Sequence, residues 1–110
     1  MVKVEYTQQA ISDIDDIANY ISNDSSYYAS LQVEKFFNKT EILEYHPHIG
    51  RVVPELNIKS IRELIEGNYR IIYRVVNKDC IHILTIHHSR KQLKPAHIKR
   101  IYTGKNNPKK

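Results

Sequence analysis

The chain has one cysteine among 110 residues. Cys80 therefore has no intrachain disulfide partner, so packing must hold the fold, and the expected compartment is a reducing cytoplasm. Within its apolar run Cys80 reads as a small core hydrophobe. No run of eighteen apolar residues occurs, and "MVKVEYTQQA" lacks the basic start and long apolar stretch of a secretory signal. The expectation is a soluble protein with no membrane partner. Acidic residues are also missing from the last part of the chain, with none after Asp79. Residues 51–110 carry fourteen Lys/Arg against four Asp/Glu, whereas residues 1–50 carry three against eight. A clustered positive field favours a polyanion or an acidic protein as partner. The ending "KRIYTGKNNPKK" also reads simply as a solvated tail.

What is present divides by hydrophobic period. "VKVEY" at 2–6 alternates as a short strand does, and Thr7 offers an N-cap where the period changes to about 3.6. Ala10, Ile11, Ile14, Ile17, Ala18 and Ile21 then share one helical stripe, with Asp13, Asp15 and Asp16 on a face expected to be solvated. "SNDSS" breaks the helix, and Ala29, Val33, Phe36, Phe37 and Leu43 recur at helical spacing after it, which predicts a helix hairpin. Residues 45–60 contain two prolines and a glycine without a period and read as a long loop. Three strands follow at 61–65, 69–76 and 80–88, joined by the turns "EGN" and "NKD", and "LKPAHIKRIY" is a candidate terminal helix. The fold class is α+β, an N-terminal strand and a helix hairpin packed on a mainly antiparallel sheet.

Strand alternation sorts the candidate functional groups. Three-residue turns would pair Arg74 with His82, Ile72 with Leu84, Asn68 with His88 and Ile65 with Tyr69. That register builds an open face bearing Arg62, Arg70, Arg74, His82 and His88; a two-residue turn would present His87 instead. Arginine grips phosphate oxygens in pairs and imidazole moves protons near neutral pH, so the combination suits binding or cleaving an RNA phosphodiester. A polar strand rim is the plain alternative. His87 and His88 are adjacent on a strand and point to opposite faces, which speaks against a shared metal, and "HPH" at 46–48 shows no third ligand. No metal or cofactor is expected.

The succession "DIDDIANYIS", "HPHIGRVVPEL", "IRELIEGNYRIIYRVV" and "IHILTIHHSRKQL" resembles the RelE/ParE superfamily of bacterial toxins from type II toxin-antitoxin modules. The resemblance covers residues 2–93, so the chain is expected to be one toxin domain, 1–110, with a basic C-terminal tail at 94–110. It implies a growth-inhibiting toxin, with a helix hairpin against an antiparallel sheet, that forms a hetero-oligomer with a cognate antitoxin. The basic second half suits an antitoxin with an acidic wrapping segment. "GRVVPEL" and "HSRK" are more similar to the ParE branch and plasmid-stabilisation relatives, which implies inhibition of DNA gyrase. The RelE branch implies instead a metal-independent endonuclease that cleaves mRNA in the translating ribosome. On that reading His88, within a His-Ser pair, is the general acid, and Arg70 and Arg90 bind the phosphate. Against it, Ala96 stands about where RelE would place a tyrosine, and Tyr102 is the only later one. The expected antitoxin- or target-binding residues are Arg62, Arg70, Arg74, His82 and His87. A catalytically inert antitoxin-binding module is the third reading, and enzyme and non-enzyme roles both stay open.

Overall fold

A computed structural model describes residues 1–104. Strand β1 (Lys3–Tyr6) leads into helices α1 (Gln8–Ser22) and α2 (Ser26–Glu41), and a single 3₁₀ turn, Ile42–Glu44, closes the hairpin. Four strands follow: β2 (Arg51–Val52), β3 (Ile61–Glu66), β4 (Tyr69–Asn77) and β5 (Cys80–His88). Helix α3 (Pro95–Thr103) covers the sheet from the other side. Its Pro95 sits in the first turn, where a missing N–H costs nothing. The proposed basic tail is thus helical over most of 94–104, while 105–110 lie outside the described residues. The strand order is β1-β5-β4-β3-β2, with β1 parallel to β5 and the remaining pairs antiparallel.

Local chemistry fixes where α1 begins. The Thr7 hydroxyl accepts from the Ala10 N–H at 3.1 Å and donates to the Leu84 carbonyl at 2.7 Å. One buried side chain thereby caps the helix and ties it to β5. Ser25 caps α2 by accepting from the Tyr28 N–H at 3.2 Å. Of the expected stripe on α1, Ala10 and Ile14 are buried, but Ile11 is 44% exposed and lies off the contact line. Asp13 leaves the expected solvated face altogether. Its carboxylate accepts from the Ile86 N–H at 3.0 Å and from the Thr85 hydroxyl, satisfying the edge of β5 beyond the point where β1 stops.

The sheet separates two apolar clusters. Phe36, Ile71, Tyr73, Ile81 and Ile83 lie under the hairpin, and Val53, Ile72, Leu84, Ile98 and Ile101 lie under α3. Gly50 is required by close approach: a Cβ there would sit 2.5 Å from the Glu63 carbonyl oxygen and 2.7 Å from the Tyr73 hydroxyl.

The observed register corrects the expected open face. Gly67, at φ 57°, makes a two-residue turn with Asn68, so Glu66 pairs with Tyr69 and Arg62 with Tyr73. Arg62 therefore faces the hairpin side, opposite Arg70. Between β4 and β5 a two-residue turn pairs Asn77 with Cys80. An extra residue at Val76 then restores the expected Arg74–His82 pair, and a second, at Leu84, shifts the register again. Beyond that bulge Ile72 pairs with Thr85, Arg70 with His87 and Tyr69 with His88. His88 thus falls on the hairpin side, and the face holding Arg70, Arg74, His82 and His87 is roofed by α3 rather than open.

Candidate functional site

The end of β5 borders a cavity of about 520 Å³ beside α1. His87, His88, His97 and Lys91 line it together with Asp13 and Asp16. Among the described residues Lys91 is the only permanent cation on that wall, and two carboxylates line it as well. Arg70 and Arg90 do not line it. A phosphodiester entering this cavity would meet more fixed negative charge than positive, a poor setting for stabilising a dianionic transition state.

Arg70 is occupied elsewhere. Its Nε donates to Glu63 at 2.5 Å, and its two terminal nitrogens donate to the two oxygens of Glu55 at 2.7 and 2.8 Å. Glu63, whose side chain is wholly buried, also accepts from Arg51 at 2.5 Å. Two guanidinium and two carboxylate groups make a neutral network. The Arg70 hydrogen bonds hold the Glu55 carboxyl down from its ordinary 4.5 to about 2, although its own partial burial opposes this. To grip a substrate phosphate, Arg70 would have to leave both acids, and the buried Glu63 carboxylate would keep only Arg51.

Apart from the exposed Arg90 side chain, the remaining candidates are also engaged within the chain. Arg62 donates to the carbonyls of Gly50 at 2.9 Å, Lys59 at 3.1 Å and His48 at 3.3 Å, pinning the 45–60 loop. The Arg74 guanidinium lies 5.1 Å from the Tyr102 ring centre. His82 stands 4.0 Å from Glu5, and burial pulls its pKa down. A ring nitrogen of His87 hydrogen-bonds the Lys91 carbonyl at 2.8 Å. His88 stacks edge-on against Tyr69, and its Nδ1 accepts from the Arg90 N–H at 3.1 Å. Ser89 donates its hydroxyl to the Asn68 carbonyl at 2.9 Å. The structure therefore brings His88 and the Arg90 backbone together and puts Arg70 on the other face.

The chain matches, over residues 4–93, the family described as ParE toxin of type II toxin-antitoxin system, parDE. It belongs to the ParE toxin family. Among solved structures it is similar to a chain of the chromosomal ParDE TA system from P. aeruginosa, with a TM-score of 0.66 at 23% identity. The match covers 80% of this chain and 96% of that one, and it shows a shared fold. No curated protein matches by sequence. The expected toxin family and fold are thus borne out. Among the described residues no helix is long and apolar enough to cross a membrane.

Sequence reasoning missed the Glu55–Arg70–Glu63–Arg51 network and the role of Asp13. Glu63 lies on the same face as Ile72, in a strand that is otherwise mostly apolar, and an acid at such a position is a usable signal that a buried cation must lie beside it.

Proposed function

We propose that this ParE-family chain stops growth by binding and inhibiting DNA gyrase, without cutting a nucleic acid, and that a cognate antitoxin with an acidic segment neutralises it. The observation that carries the reading is the commitment of Arg70 to Glu55 and Glu63. A nuclease built on His88, Arg70 and Arg90 needs both guanidinium groups free at one phosphate, and here one is neutralised on the opposite side of the sheet. Arg90, Lys91, Lys94, Lys99 and Arg100 are exposed along the approach to α3 and on its outer side. They form a positive strip suited to an acidic partner segment.

The ribosome-dependent endonuclease reading keeps one supporting observation, because His88 lines the cavity and is half-buried rather than sealed. Pulse labelling after induction without antitoxin separates the two. Gyrase inhibition predicts an early fall in thymidine incorporation while methionine incorporation continues. An early fall in protein synthesis with new mRNA ends, abolished by His88→Ala, would replace this reading with the nuclease one. Normal growth at a verified level of folded protein would leave only the inert binding module.

A further inference from the structure

We propose that Glu5, Cys80 and His82 form a binding site for a zinc-class divalent cation that staples β1 to β5. The parallel register sets Lys3 beside Cys80 and Glu5 beside His82. Cys80 and His82 are two residues apart on β5 and so share the α3 side of the sheet, where Glu5 meets them from the neighbouring strand. The Cys80 thiol donates to Glu5 Oε1 at 3.5 Å, and His82 Nε2 lies 4.0 Å from the same oxygen. The three donor atoms all fall within 4.8 Å of one another. Tetrahedral zinc with bonds of about 2.0 to 2.3 Å holds its ligand atoms roughly 3.3 to 3.7 Å apart. The sulfur–oxygen separation already meets that, and a small rotation of His82 closes the rest.

The donor set selects the metal. One thiolate, one imidazole and one carboxylate suit a borderline-soft cation and do not suit calcium or magnesium, which take oxygen ligands. Three protein ligands leave a fourth position for water. Charge supports occupancy as well. The Glu5 carboxylate is mostly buried, with the His82 imidazole 4.0 Å away. A divalent ion with one thiolate and one carboxylate is neutral as a unit, so it compensates the acid without adding charge to the interior. The thiol proton leaves to solvent as the metal binds. Arg74, the cross-strand neighbour of His82, would oppose a cation, but its guanidinium is drawn over Tyr102. β1 is an edge strand held by four register pairs to β5 alone and leads directly into α1, so a cross-strand ligand bridge would strengthen that edge of the sheet.

This site is independent of the gyrase reading. Cobalt(II) titration of the full-length, reduced, untagged chain tests it, because Cys80 is the only cysteine and any thiolate-to-cobalt absorption reports that residue. The expected result is a saturable 1:1 band with the intensity of tetrahedral coordination, bleached by one equivalent of zinc, together with a zinc-dependent rise in Tm. His82→Gln should weaken binding by more than about 100-fold, beyond the loss of a merely supporting group. Cys80→Ser should remove the band and the Tm rise, whereas the double variant His46→Ala/His48→Ala should keep both. Absence of the band at millimolar cobalt, a stoichiometry of two chains per metal, or unchanged affinity in His82→Gln would each overturn the site. The wild-type spectrum decides the matter even if a variant fails to fold.

Discussion

On one side of β4, Tyr69, Ile71, Tyr73 and Val75 meet the helix hairpin through rings and aliphatic groups; on the other, Arg70 and Arg74 alternate with Ile72 beneath α3. The first face is held by burial, with Phe36 set edge-on to Tyr69 at 5.3 Å. The second buries an apolar cluster too, but adds charge pairs and a guanidinium over a ring. Such a face is costly to assemble and sensitive to the loss of any one partner, because each buried charge depends on its neighbour. The difference explains why a row of arginines that looks like a nucleic-acid surface in sequence serves as internal structure instead.

Breaking the charged face should produce the largest effect. Arg70→Met leaves the buried Glu63 with Arg51 alone and should cost about 3 to 5 kcal/mol, read as a fall in the urea midpoint. The double variant Arg70→Met/Glu63→Leu should recover a substantial part of that loss. A cost below about 1 kcal/mol for the single change, the scale of a surface pair, would mean that the network is ornamental.

On the apolar face the most informative change is smaller. Tyr73→Phe keeps the ring but strips the buried Gly50 N–H of its 2.9 Å acceptor. It should cost about 1 to 3 kcal/mol, and an unchanged midpoint would show that water replaces the hydroxyl. The two faces should also part company in acid. Glu55 titrates in the folded state at about 2 instead of 4.5, so the stability it contributes is complete above 4.5 and drains away as pH falls from 4.5 towards 2. The wild type should therefore lose stability more steeply than Glu55→Gln across that window, and parallel profiles would contradict the pairing. Arg74→Met should show the smallest effect, about 0.5 to 1 kcal/mol for a half-exposed cation over a ring.

Much of this architecture was legible from local signals. Thr7 and Ser25 announce their helices, the strand at 80–88 has the expected bounds, and the alternation in β4 sorts the rings from the arginines correctly. The register was not legible, because it depends on features with weak local signatures. Gly67 and Asn68 close a tighter turn than "EGN" suggests. The bulge at Leu84 falls where β1 ends, where Thr7 takes the Leu84 carbonyl and Asp13 takes the Ile86 N–H. That displacement is made by tertiary partners 70 or more residues away. One such slip carried His88 to the far side of the sheet and exchanged it for His87 beside Arg70. The candidate site failed to assemble for the same reason, and the proximity of Glu5 to Cys80 and His82 appears only once β1 is known to lie parallel to β5.

On the proposed reading the end of β5 holds no phosphodiester chemistry and toxicity comes from a protein surface. The most direct test is a supercoiling assay with purified gyrase, relaxed plasmid and the purified toxin, run for wild type and His88→Ala. Gyrase inhibition predicts that both proteins block supercoiling at similar concentrations and that neither cleaves mRNA on translating ribosomes. Unimpaired supercoiling, together with ribosomal mRNA cleavage that His88→Ala slows by about 100-fold or more, the scale of a lost general acid, would contradict it.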